Sequence, residues 1–257
     1  MSETLRPKSR GLSGAGLRYF GLVCLALGIA GRCLIQNGML NMATTSAQEL
    51  LALLEKNPNM MGAATIALVL QVIYYCAVPL FSFLLVEGFC HTGNYRNYLL
   101  RVLAMAAAAE LPFNLAMGGG LWVTGSRNPA FALVLGLVVL YFYRRYSEKN
   151  LSNFLVKALI TLMGILWVGM LRIEDGVLVL VMTAVIWFLR KFPNFRTLGG
   201  CTAAVACTLL SPYCALMPMS LIATHFYNEE RGNINRFLEY AAYPLLLLAV
   251  ALVGIYV

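Results

Sequence analysis

The sequence predicts an all-α protein, a polytopic bundle of transmembrane helices with about eight spans. Three observations carry that prediction. Of 257 residues, 60% are hydrophobic and only 12% charged, and the mean hydropathy is +0.76. A soluble domain carries about 25% charged residues, so half that share leaves too little polar surface to face water. Apolar runs of about 20 residues, the length that crosses a bilayer, recur along the chain. The net charge is nonetheless +8, as expected where Lys and Arg collect on the cytoplasmic side of a membrane. A soluble enzyme and a disordered tail are excluded. The expected partner is the lipid bilayer, and nucleic acid is not expected.

Residues 1–16 read as a short basic N-terminus with Arg6, Lys8 and Arg10, and 17–257 as a single transmembrane domain. The first apolar core, 17–36, extends past a cleaved-signal core and is read as retained. The polar stretch 37–60 reads as a partly helical loop, with Ser46 as cap and Glu49 three residues on. The next cores are 62–86, 98–117, 129–146, 152–171 and 175–192. The seventh, 198–226, is too long for one straight span and carries Pro212 and Pro218, so it is a kinked helix or includes a re-entrant piece. The eighth is 236–257. With alternating sides from a cytoplasmic N-terminus, 13 of the 19 basic residues fall inside and five outside, Arg32 aside. That split puts both termini on the cytoplasmic face. If the seventh segment crosses twice, the last loop and the C-terminus exchange sides.

Seven cysteines without a C-x-x-C pair suggest packing rather than disulfides or zinc, and no metal is expected. Gly21 and Gly28, seven apart on one helix face, offer a close-packing surface.

Ionisable groups near a span are expensive and mark candidate sites. Arg18, Arg32 and Glu239 lie near span ends, where snorkelling suffices. Glu110 lies well inside the third span, after four alanines and before Pro112 and Asn114. It reads equally as part of a polar pocket or as a helix–helix hydrogen-bonding group. Glu87 and His91 are four apart and share a helix face. A carboxylate that orients an imidazole is the simplest acid/base pair.

The run Pro79 to Arg101, PLFSFLLVEGFCHTGNYRNYLLR, resembles the hallmark of the TraX family of bacterial membrane proteins. Glu110-Leu-Pro-Phe-Asn114, Asn128 to Gly136, Glu174-Asp-Gly176, Tyr227 to Gly232 and Tyr243-Pro244 resemble further segments of that family, in order. The similarity extends over nearly the whole chain and is distantly shared with membrane-bound acyltransferases of sugars and envelope polymers. The family's first-span Asp-His pair falls here on Gly28 and Ile29, and its histidine after Tyr-Pro on Leu246, so of three histidine positions only His91 remains.

The resemblance implies a multi-pass protein of the bacterial cytoplasmic (inner) membrane linked to conjugal transfer. It implies transfer of acetyl from acetyl-CoA to a protein N-terminus, such as that of pilin, or to an envelope molecule. On that reading His91 is the base, Glu87 its orienter and Glu110 a further catalytic candidate, while Arg18, Asn94, Arg96 and Arg101 contact the donor. Two other classes are a family member without catalysis, acting as a membrane scaffold, and a small-solute transporter.

Overall fold

A computed structural model describes residues 11–42, 45–118, 120, 125–148, 150–233 and 235–255, without the side chains of 47, 236 and 255. Arg6, Lys8, Arg10 and Lys149 lie outside the described residues.

The chain is all-α. In order it forms α1 (Gly14–Ala30, continued by a π-helical Gly31–Met39), α2 (Ala47–Lys56), α3 (Pro58–Tyr75), α4 (Ala77–His91), α5 (Tyr95–Gly118), α6 (Ala130–Arg145) and α7 (Leu151–Met170). Then come α8 (Gly176–Leu189), α9 (Pro193–Cys207), a 3-10 turn (Pro212–Leu216), α10 (Met217–His225) and α11 (Arg236–Ile255). Proline marks many of these boundaries. It opens α3, α9 and the 3-10 turn, positions where its missing N–H costs nothing. The break at Cys76 follows from Pro79, which cannot donate to the Tyr75 carbonyl. The predicted span 62–86 is therefore two helices. Pro112, by contrast, sits inside an unbroken α5. Ser46 and Glu49 form the expected reciprocal cap at the start of α2.

Among the described residues, five segments are long and apolar enough to cross a membrane: Gly14–Met39, Pro58–His91, Tyr95–Gly118, Leu151–Met170 and Phe237–Gly254. Eight were expected. α6 has 16 residues and α8 only 14. The predicted core 198–226 does not cross. Arg196 Nη2 donates to the Thr224 carbonyl at 3.1 Å, and Thr197 Oγ1 lies 3.2 Å from His225 Nδ1. The start of α9 thus sits beside the end of α10, and the segment is a hairpin that returns to its own side. Its tip reaches mid-bundle, where Cys76 Sγ donates to the Leu216 carbonyl.

This hairpin corrects the predicted placement of both termini on one face. α11 runs parallel to α1: Glu239 pairs with Arg18 at 2.6 Å, and Cys33 Sγ bonds the Val250 carbonyl. The end of α11 therefore lies opposite the start of α1. Arg231 and Arg236 join the face where α1 begins, leaving Lys56, Arg127 and Arg172 on the opposite one.

α1 lies antiparallel along α3 and α4, and the stripe of small residues is used inside the chain. A Cβ on Gly28 would stand 2.2 Å from Tyr74 Cβ, and one on Gly21 would stand 2.9 Å from the Phe81 ring. α5 packs along α11 and α6, and α4 against α1, α6, α8 and α10. All seven cysteines are free.

Candidate functional site

Polar groups gather at the two ends of one internal space between α1, α4, α5 and α11. At the end where α1 begins, α4 finishes with Glu87-Gly88-Phe89-Cys90-His91. His91 Nδ1 is 3.0 Å from the Glu87 carbonyl and 3.3 Å from Glu87 Oε1. Its ring N–H donates to one of these oxygens, which leaves Nε2 free. Gly88 gives Tyr98 room: a Cβ there would lie 2.6 Å from the Tyr98 hydroxyl.

The loop after α10 closes the same end. Leu12 N donates to the Phe226 carbonyl and Asn228 N to the Leu12 carbonyl, while Gly14 N and Ala15 N donate to the Glu230 and Arg231 carbonyls. This strap delivers Tyr227, whose hydroxyl donates to Glu87. Burial first, and then the Glu87 charge, push the Tyr227 phenol up to about 12, so it stays a neutral donor. Tyr227 packs edge-on against Phe83, and the Arg196 guanidinium lies 4.7 Å above that same ring. Glu239 accepts from both Arg18 (2.6 Å) and Arg231 (2.7 Å), tying α1, the strap and α11 together.

Together Arg18, Glu87, His91, Arg101, Tyr227 and Glu239 help line a vestibule of about 420 Å³. Arg101 also reaches the Tyr240 hydroxyl. The vestibule shares Arg18, Leu84, Tyr98, Glu239 and Tyr240 with a second, apolar cavity of about 130 Å³ running deeper between the helices. Arg18 stands at the junction, and its buried Nη1 has no hydrogen-bond partner.

At the far end of that apolar cavity lies the second polar group. Asp175 Oδ1 accepts from the Tyr75 hydroxyl at 2.9 Å, and Arg32 pairs with Glu174. Asp175 takes a positive φ of 54°, and Gly176 follows because a Cβ there would stand 2.6 Å from Val168 Cγ1. Glu110 belongs to this end. It accepts from Asn128 N (3.2 Å), Asn128 Nδ2 (2.6 Å) and Arg127 Nη1 (3.4 Å). Arg127 in turn exchanges backbone hydrogen bonds with Arg172 and Glu174.

Of the sequence-predicted residues, Glu87, His91, Arg18 and Arg101 come together. Glu110 does not join them; it pins the α5–α6 loop. Asn94 caps α5 by accepting from Asn97 N, and Arg96 is exposed on the first turn of α5, outside the vestibule lining. Sequence reasoning missed Tyr227 as a site residue, although its loop stood among the motif segments. It placed Glu239 in isolation, where the structure makes it the hub of an ion triad. Among the described residues, no three His, Cys, Asp or Glu side chains gather as a metal site would require.

Fold and site together define a multi-pass helical membrane protein with a polar vestibule opening at one face and an apolar extension behind it. The chain belongs to the TraX family: the family model described as TraX protein matches residues 50–254. The match begins within α2, so α1 with Arg18, Gly28 and Ile29 lies outside it. No match is found among curated proteins or among solved structures.

Proposed function

We propose that the protein transfers an acyl group, acetyl in the simplest case, from a coenzyme A thioester to an amine or hydroxyl acceptor, in a process linked to conjugal transfer. The observation that carries this reading is the convergence of His91, Glu87, Arg18 and Arg101 on one vestibule. The excess of basic residues at this end supports placing it on the cytoplasmic side of the inner membrane, where the donor is found. The acceptor amine or hydroxyl attacks the thioester carbonyl, the carbon–sulfur bond breaks, and the thiolate leaves. His91 Nε2 takes the acceptor's proton and returns it to the thiolate. Glu87 holds the ring tautomer. The Arg18 guanidinium, where the two cavities meet, is the donor for the developing oxyanion, and Arg101 suits the donor's phosphates.

The full-length protein in lipid nanodiscs, given radiolabelled acetyl-CoA, is expected to release free thiol. His91→Ala is expected to lower that rate at least a hundredfold while acetyl-CoA binding persists. An unchanged rate in His91→Ala overturns the assignment.

A second reading has its own support. Gly28, on which the resemblance lays part of the family's Asp-His pair, is closed off by Tyr74. On that reading the fold serves as a membrane partner without turnover, and acetyl-CoA binding without thiol release would select it.

A further inference from the structure

The apolar cavity behind the vestibule has dimensions that an acetyl group does not use. We propose that it is an acyl-chain pocket, and that the donor is a medium-chain acyl thioester of about six to eight carbons. The inference rests on the acyl-transfer reading above and names the chemical class of its substrate.

The cavity starts at Arg18 on α1, Leu84 on α4 and Tyr98 on α5, and ends beside Leu25, Ala77 and Met105 on the same helices. Each of these stretches spans eight residues, a rise of seven steps. At 1.5 Å per residue the pocket is therefore about 10 Å deep, the extended reach of an acyl chain of roughly eight carbons. Its walls along that depth are hydrocarbon, with Leu22, Phe81, Val102 and Leu133 among them. Its volume, about 130 Å³, compares with the roughly 150 Å³ apolar cavity that stays dry and accepts a six-carbon ring. An acetyl group would leave it empty, and a void with no partner atoms loses its contacts outright.

The mouth has the right chemistry for the polar end of such a donor. Arg18 lines both cavities and is held at their junction by Glu239, so a thioester carbonyl at the junction sits between the guanidinium and the vestibule. The acyl chain then points inward and the coenzyme outward, past Arg101. The floor is polar, with Tyr74, Asp175 and Tyr243, and it sets a limit. A chain that reached it would bury methylenes against a carboxylate, so affinity should rise with length and then stop.

The test compares acetyl-, octanoyl- and palmitoyl-CoA binding to the full-length protein in nanodiscs, by equilibrium dialysis. Each fully buried methylene is worth roughly fourfold in affinity. Octanoyl-CoA carries six more methylenes than acetyl-CoA; burying all six would be worth about four-thousandfold and burying half of them about sixtyfold. Octanoyl-CoA is therefore expected to bind at least about fiftyfold more tightly, and palmitoyl-CoA no better than octanoyl-CoA. Met105→Trp and Leu133→Trp fill the pocket from two different helices. In whichever of them elutes monodisperse, the octanoyl advantage should disappear while acetyl-CoA binding is retained.

Equal binding of acetyl- and octanoyl-CoA overturns the chain pocket and leaves the acyl-transfer reading in place. Binding of none of the three overturns both. Steady gain up to palmitoyl-CoA, unaffected by either tryptophan, means the chain lies in the bilayer and again overturns the pocket. So does a phospholipid retained in native mass spectra throughout saturation with octanoyl-CoA.

Discussion

The Glu87 carboxylate has three neighbours from three parts of the chain. His91 lies one helical turn on, Tyr227 comes from the strap, and the Arg196 charge comes from the start of α9. Tyr227 is the one that spacing could not reveal, because it is 140 residues away in sequence. It acts through Glu87 and is a positioning residue. Tyr227→Phe removes a hydrogen bond to a charged group, worth about 1.5–3 kcal/mol when buried. Because Tyr227 is only partly buried, the lower figure applies, and kcat/KM should fall about tenfold with the fold intact. The loss should fall on kcat while the KM for the donor stays the same, as expected of a residue that acts by holding the base's partner in place. A purely structural tyrosine would lower the folded fraction and leave the kcat of the folded protein where it was. The basic limb of Tyr227 itself lies near pH 12, so between pH 6 and 9 its donor role is constant.

At the scale of elements, the helices α1 and α3–α4 approach so closely that glycine is needed. Gly28 has no space for even a methyl group against Tyr74. Overpacking of this kind typically costs about 1–3 kcal/mol. Gly28→Ala should accordingly lower the Tm of the detergent-solubilised protein by several degrees. Gly62 and Gly169 face open space, and Gly169→Ala in the middle of the exposed end of α7 should leave Tm the same or slightly higher. The element boundaries follow a similar logic. Pro58, Pro193 and Pro212 open helices where the sequence predicts starts at 62 and 198 or a kink, and Pro79 explains the break at Cys76. Which of Pro79 and Pro112 interrupts its helix was not legible. Pro79 comes in the first turn after a break, where its missing donor is harmless. Pro112 is held inside α5 by packing, with Phe113, Asn114 and Ala116 buried around it.

For the whole molecule, the α9–α10 hairpin decides the topology. Because it returns to its own side, α11 starts beside α1 rather than opposite it. The Arg18–Glu239–Arg231 triad could not form otherwise. An alkaline phosphatase fused after residue 257 should therefore be active in the periplasm, while a fusion in the 226–235 strap should be inactive. The reverse pattern would mean that segment 198–226 crosses once. The exposed apolar residues of α7, among them Leu151, Phe154, Leu155 and Met170, match a helix whose outer face meets lipid.

The amino-acid sequence alone determined that this is an all-α membrane protein, because apolar length and low charge leave no other way to satisfy the backbone. It also brought Glu87 and His91 together, because residues four apart on a helix are neighbours whatever surrounds them. The family could be read from short motifs for the same reason: they are local. Only the tertiary structure decided that Glu110 belongs to the opposite end of the molecule, that Tyr227 and Glu239 belong to the vestibule, and that an apolar pocket lies behind it. Those facts depend on which helices pack together and in which direction they run. A hydropathy profile records how apolar a segment is, and it carries neither its direction nor its neighbours.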